Sequence, residues 1–560
     1  MKKWALFIPV WFMALGVGAE RSWQRFYPDD PLWQEPQIVI QKPANVQRSR
    51  ISDFFDNSSA RKPRGEIVPS ADVNTVGGVP DSAWFQSRIG TGKMSVQDVV
   101  TGPNRGDGPD MSAPWEITDP KTQGVTAGFK IKDARGNKYF VKLDPLKYPQ
   151  LTTSAEVIST KLLYAFGYNT PENYLAFVRR DQLRLSQEAI KEGFTERLFD
   201  QLLEKAPRRS DGTYQVLASL KVEGDAIGQF KFHGTRPDDP NDVVPHENRR
   251  ELRGFRLICA WLNHTDIDTI NTLDVFVGKK DEGYVKHYLI DFGTTLGSGA
   301  YQPQRPRVGH EYLVEWDKIA TSILTLGVWE REWEKIRYPD YPSVGNFEAR
   351  HFHPELWKPD LLNPAFERMR LGDAFWAAAI ISRFSDEMVR QVVKVGRLSD
   401  PEAERYLLNT LLDRRDKILS YYLSRMNPVD RFEVRPQADG LRLDFVNLAA
   451  ETGVGQADSY EYTWYSYENQ SDSFKRLGGP HSVGVESIPI PRKSEDGFLA
   501  VQFRTISRDK PDWAKPVVVY LKRDGSDYRV IGLEREEENY QQDLERRRQL
   551  AEHSDELQTE

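Results

Sequence analysis

The feature that most constrains this chain is a change of hydrophobic period along its length. Between Trp115 and Asp144 apolar and polar residues alternate, the period of half-buried strands: Trp115-Glu116-Ile117-Thr118, then 128–133, then 138–144. Ala134-Arg135-Gly136-Asn137 joins the last two, with Gly and Asn where a tight turn needs positive φ. A helical period then starts at Ser154, whose hydroxyl suits an N-cap, and carries Glu156, Val157, Leu162, Leu163 and Phe166 to a stop at Gly167. Residues 174–178 and 214–220 read as further strands around a charged helical insertion at 181–210. After Pro245-His246 a helix with Leu252, Phe255, Leu257, Ile258, Trp261 and Leu262 leads into an apolar segment at 273–277 and a strand ending at Asp291. Beyond a loop rich in Gly, Gln, Arg and Pro at 297–309, helical segments are expected at 316–324, 375–384, 386–395 and 401–425. Period two returns at 441–445, 460–465, 499–503, 517–521 and 528–532. A chain of 560 residues exceeds one ordinary core, and this segregation of strands, helices and strands predicts an α+β fold in several domains.

The ends are of a different character. Met1-Lys2-Lys3 precedes an apolar run to Gly18, with Val17 and Ala19 suiting the small positions of a cleavage site before Glu20. Residues 1–19 therefore read as a signal peptide, too short and too interrupted by Pro9 and glycines to span a bilayer. No other stretch is apolar enough to cross a membrane, so no span is expected in the mature chain. Cys259 is the only cysteine, which excludes an intramolecular disulfide; it lies in an apolar stripe and reads as packing. Export without disulfides points to a bacterial envelope protein, periplasmic or extracellular. Net charge is −7, and there is no basic face of the kind nucleic acid requires. Residues 20–113 read as an extended irregular arm without chemistry of its own, with a short helix near 52–55 and an aromatic anchor at Trp84-Phe85. Residues 534–560 are a charged tail.

The chemistry-bearing residues lie in order along the middle of the chain. Lys142 stands on a strand, Glu156 on the helix after it, and Gly124 and Gly128 in and beside the loop before it. His264-Thr265-Asp266 with Asn271 follows the pattern His-x-Asp-x-x-x-x-Asn, and Asp291-Phe292-Gly293 closes a hydrophobic strand. Two hard oxygen donors, a carboxylate base and a lysine point charge are the set that phosphoryl transfer from a magnesium nucleotide requires.

Over about residues 115–425, this order of elements and motifs resembles the protein-kinase-like fold, in particular its divergent members: lipid kinases, HipA-type kinases and the secreted or spore-coat kinases. The resemblance implies a two-lobed domain, with a small lobe at 114–222 and a helical lobe at 223–428; after it, the short alternating strands and their spacing suggest an all-β, sandwich-like domain at 429–533. It implies binding of ATP with Mg²⁺ (or Mn²⁺) at Lys142, Gly124, Gly128 and Asp291, with Asn271 and Asp291 as metal ligands. Glu156 is the implied partner of Lys142, and Asp266 the implied base, with Asp268 a rival for that role. The chain departs from ordinary protein kinases in Thr265, where an arginine would receive an activation-loop phosphate, and in the absence of Ala-Pro-Glu after Gly293.

Other candidates carry less. His351-Phe352-His353 has no third ligand at zinc spacing and reads as loop packing. The aromatic run 460–467 suits either a carbohydrate platform or a strand core, and alternation favours the core. Asn57-Ser58-Ser59 and Asn469-Gln470-Ser471 carry meaning only in a glycosylating host, and Arg547 sits on a solvated face. The expectation is an exported kinase-like phosphotransferase acting on a hydroxyl of a protein or glycan. Its alternatives are a catalytically inactive kinase-like scaffold of the cell envelope and an enzyme that transfers AMP.

Overall fold

The computed structural model describes residues 24–27, 38–60, 68–120, 127–279, 281–315, 331–438, 440–491 and 497–535. The segment expected to be a signal peptide, Gly124, the helix expected at 316–324 and the tail beyond 535 lie outside the described residues. The fold is mixed α+β with several sheets.

The arm carries two short helices, α1 (Arg50–Ser59) and α2 (Val96–Thr101). Each begins at a serine in a capping box, Ser49 and Ser95, which satisfies amide groups that the first turn leaves open. The arm docks through its aromatic anchor. Trp84 stacks on His287 at 3.5 Å, and Phe85 meets Phe166 and Tyr168 edge-on, all of them buried.

Next come β1 (Trp115–Pro120), β2 (Gly128–Lys132) and β3 (Lys138–Leu143), antiparallel neighbours as their alternation predicts. Helix α3 (Leu151–Phe166) follows, and every residue on it except Tyr164 is buried. Its start corrects the expected cap. Gln150, at φ 68°, turns the chain, and the Asp144 carboxylate accepts from the Thr152 and Thr153 amides at 2.9 Å each. A carboxylate at the end of β3 thus does the work expected of Ser154, whose hydroxyl instead donates to the Gly396 carbonyl at 2.6 Å.

Strand β4 (Asn173–Val178) precedes the insertion, which holds β5 (Leu183–Leu185), α4 (Gln187–Lys191) and α5 (Glu196–Leu203), and β6 (Tyr214–Leu220) follows it. These complete a six-stranded sheet in the order β4-β6-β3-β2-β1-β5. Strand β5 lies inside the stretch expected to be helical. Its two leucines alternate into the sheet's core, and it pairs in parallel with β1. Three residues are too few to declare a period.

The short β7 (Asp225–Ala226) precedes α6 (Arg250–Leu262). The hairpin β8 (Thr272–Lys279) and β9 (Glu282–Leu289) forms a three-stranded sheet with β7. Helices α7 (Pro364–Glu367), α8 (Leu371–Ile381), α9 (Asp386–Val395) and α10 (Pro401–Leu423) complete this part. One apolar core joins α3, α6, α8, α9 and α10, and Cys259 is sealed inside it as a packing residue. Gly254 permits the crossing of α6 and α8, since a Cβ there would lie 2.7 Å from the Trp376 ring.

The C-terminal part is strand-rich. It contains β10 (Val429–Gln437), β11 (Gly440–Asn447), the one-turn α11 (Leu448–Glu451), β12 (Ser459–Glu468), β13 (Ser473–Arg476), β14 (His481–Val483) and β15 (Ser487–Pro489). The last strands are β16 (Phe498–Ile506), β17 (Val517–Asp524) and β18 (Asp527–Arg535). A sheet β10-β11-β15 and a sheet β13-β12-β16-β17-β18, with β14 on β12, share one core through Leu443, Phe445, Trp464, Val501, Phe503 and Val519. Tyr460, Tyr462, Trp464 and Tyr467 are all buried, so the aromatic run is core. Among the described residues no helix is long and apolar enough to cross a membrane.

Candidate active site

Strand β3 and helix α3 meet at Lys142. Its ammonium donates to both carboxylate oxygens of Glu156, at 2.8 and 2.6 Å, and to Oδ1 of Asp291 at 2.7 Å. Lys142 is 7% exposed and Glu156 2%, so these two form a buried pair and not a surface ion pair, with Asp291, its side chain 45% exposed, on the open side. Burial works against the charge on Lys142, but Asp291 and Glu156 outweigh it and hold the ammonium above the usual lysine range. Gly128 lies directly across from Lys142 in the β2–β3 register, so the β2 backbone runs beside the ammonium-bearing residue. Its companion Gly124 is outside the described residues.

The β8–β9 hairpin supplies the other side. Thr272 pairs with Leu289 at its open end, and the Ile290 amide donates to the Asn271 carbonyl at 3.0 Å. Asn271 and Asp291 are therefore carried on adjacent strand ends. The Asn271 side-chain amide donates to the Asp266 carbonyl at 2.7 Å, which leaves its oxygen Oδ1 as the atom suited to a hard cation. Asp291 itself sits at φ 62°, a left-handed conformation that Asp tolerates better than most residues. Gly293 allows this turn to lie against α3: a Cβ there would be 2.8 Å from Thr152 Cγ2 and 3.2 Å from Glu156 Oε2. Phe292 is fully buried, edge-on to the His264 ring at 5.8 Å. Burial pushes His264 down to about 4, so its imidazole is neutral and serves as packing.

Asp266 and Asp268 have the same chemistry and different surroundings. The Asp266 side chain is 24% exposed and that of Asp268 2%. Burial raises both carboxyls; the neighbouring Asp266 raises Asp268 further, to about 8. Asp360 adds to the repulsion, and Arg50 opposes it in both cases. Arg50 was not legible as a site residue. It lies on the arm, and its guanidinium contacts Asp268 at 2.7 Å, Asp360 at 2.9 Å and Asp266 at 3.6 Å. Asp360 was equally hidden; its amide donates to the Thr265 carbonyl at 3.0 Å, which fastens it to the same loop. Neither carries a local signal of this role: the serine cap at Ser49 marks only the start of α1.

The structure thus brings Lys142, Glu156 and Asp291 into direct contact, links Asp266 to Asn271, and joins the two groups through the hairpin end. His351 and His353 stay apart from this site, on an exposed turn beside Glu348 and Glu355. Among the described residues no group of three or more His, Cys, Asp and Glu side chains is arranged to hold a metal, so a cation here would rest on Asn271, Asp291 and its ligand's own oxygens.

No protein-family model matches the chain, and no curated protein matches it. Among solved structures it is similar to the Helicobacter pylori proinflammatory kinase CtkA, at 10% identity and a TM-score of 0.31, over 56% of this chain and 98% of that one.

Proposed function

We propose that this chain is an exported, kinase-like phosphotransferase that moves the γ-phosphoryl group of Mg-ATP to a hydroxyl of a protein or glycan. In this reading residues 114–222 form the small lobe, 223–428 the helical lobe and 429–533 a sandwich-like β-domain. The observation that carries it is the buried Lys142 bonded at once to Glu156 on α3 and to Asp291 after β9. A lysine placed so is a permanent, oriented point charge, which a triphosphate needs and a purely structural core does not.

Each residue then has a task. Glu156 orients Lys142 toward the phosphates. Asn271 Oδ1 and Asp291 would hold the metal, whose charge, when it is bound, offsets that of the β- and γ-phosphates. Gly128 lets the β2 backbone approach the nucleotide. The acceptor hydroxyl attacks the γ-phosphorus, a new P–O bond forms, and the bond from that phosphorus to the β–γ bridging oxygen breaks to release ADP. The acceptor's proton passes to Asp266, whose exposure suits contact with an outside substrate, whereas Asp268 is sealed. The leader-like residues 1–19 support export.

Incubating the purified chain with ATP labelled separately at the γ-phosphate and the adenine tests the reading. Transfer of the γ-label alone, abolished in Asp291→Ala, is expected. Transfer of the adenine label would establish AMP transfer instead, and γ-transfer that survives Asp291→Ala would remove the site assignment.

A further inference from the structure

Three carboxylates that belong to the catalytic loop and its neighbour face one guanidinium from a distant part of the chain. Asp266 and Asp268 come from the loop after α6, Asp360 from the stretch before α7, and Arg50 from α1 on the arm. Without a cation between them, the three carboxyls would repel one another or take up protons in a partly desolvated place, and the loop would lose the contacts that hold them together. Arg50 is also at the wrong end of its own helix. As the first residue of α1 it puts positive charge at the positive pole of the helix dipole, so local helix energetics do not explain it. The carboxylates do.

A second contact fastens the same helix. Asp53, buried one turn further along α1, accepts from the Thr269 amide at 2.8 Å, between Asp268 and Asn271. Helix α1 therefore grips the 266–271 loop by a side chain at one point and by the loop's backbone at another. Upstream, Gly228 lets the arm run against the β7–β8 sheet: Val46 bridges it in parallel, and at φ 108° a Cβ there would fall on the Val46 carbonyl. The arm is thus held in place before it delivers Arg50.

The direction of approach decides what Arg50 does. Oδ1 of Asp266 is sealed from solvent on the side of Arg50, 3.6 Å from it, yet the Asp266 side chain as a whole is 24% exposed. The exposure therefore lies on other atoms of the side chain and not on the oxygen nearest Arg50. Arg50 meets Asp266 at its sealed oxygen and leaves the side chain part-exposed; it does not cover Asp266 completely.

We infer that Arg50 is a positioning residue of the transfer reaction: the arm completes the catalytic centre by gathering Asp266, Asp268 and Asp360 around one guanidinium. This rests on the phosphotransferase reading for its catalytic consequence, while the gathering of the loop is a property of the fold. The arm would then be required for activity rather than inhibitory, and a chain lacking it would bind nucleotide but transfer slowly. Lysine is a poor substitute, because a single ammonium cannot reach three carboxylates in fixed directions as the guanidinium fork does.

The test uses the full chain with Arg50→Ala, Arg50→Lys and Asp291→Ala. For Arg50→Ala we expect kcat to fall about 10²-fold, the scale of an ångström-size misplacement of a catalytic group, with KM for MgATP changed by less than about twofold. Millimolar guanidinium, but not methylammonium, is expected to restore part of the kcat of Arg50→Ala and none of that of Asp291→Ala. Hydrogen exchange should show the Thr269 and Asn271 amides losing protection in Arg50→Ala, with the core of α3 unchanged. An unchanged or increased kcat in Arg50→Ala overturns the inference, and an increase would make the arm inhibitory. If the unaltered chain transfers no phosphoryl group, the phosphotransferase reading fails by itself. Exchange at Thr269 and Asn271 then decides the gathering of the loop: loss of protection supports it, and unchanged protection overturns it.

Discussion

Two lysines are buried around helix α3, and they have opposite characters. Lys142, on β3 beside the helix's second turn, lies between the carboxylates of Glu156 and Asp291 and is held charged above the usual range. Lys161, nearer the C-terminal end of the same helix, donates to the Thr101 carbonyl at 2.8 Å, its one partner among the described residues, and burial brings it down to about 7 against the pull of Glu172. Gly102 makes that second site possible, for at φ 56° a Cβ there would lie 2.5 Å from Lys161 Cδ. Both residues are almost equally hidden from water. What separates them is the number of carboxylates within reach, and so burial of a lysine alone says nothing of function.

Breaking the Lys142 cluster should have the largest effect. Lys142→Met leaves Glu156 buried without its cation, which should cost about 3–5 kcal/mol of stability and reduce transfer by about 10³-fold. Urea unfolding and the γ-label assay read the two effects. An unchanged unfolding midpoint would show that water reaches Glu156 and would end the contrast. Glu156→Gln is milder, since Asp291 still holds the ammonium: about a tenfold loss in kcat is expected, with the fold intact. A loss as large as that of Lys142→Met would mean that Asp291 does not share the task.

Lys161→Met should leave transfer unchanged and alter only the pH dependence of stability. The folded-state value of about 7 lies below the 10.5 of an unperturbed lysine. Between these two the unfolded chain binds the extra proton, so stability rises with pH by up to about 1.4 kcal/mol per unit and is lost as pH falls toward 7. Denaturation series across that window should show this rise in the unaltered chain and not in Lys161→Met. A parallel pair of profiles would show that Lys161 has water or a carboxylate partner in solution.

The same distinction governs how much of the molecule was legible in its residues. The strands 115–144 and the helices at 386–395 and 401–423 follow from local periodicity, and the structure has them where that periodicity lies. The aromatic run in β12 was decided by alternation, which sends Tyr460, Tyr462 and Trp464 to one face. The start of α3 was misread because two groups competed for one role: the local rule favours a serine, and Asp144, brought by the end of β3, took the amides instead. Strand β5 escaped because its pairing partner, β1, lies more than 60 residues away in sequence. Arg50 and Asp360 left no trace at all, since nothing in a capping serine or a Pro-Asp pair announces a carboxylate cluster across the fold.

From the chain alone came the order of its elements, the α+β class and the residue types that suit phosphoryl chemistry, because period, turn residues and motif spacing are properties of neighbours in sequence. Tertiary structure decided which of those residues meet, that Lys142 is held charged while burial lowers Lys161 to about 7, that Asp266 is part-exposed and Asp268 is not, and that the arm reaches the loop. Those outcomes depend on desolvation and on charges brought from distant segments, and neither exists until the chain has packed.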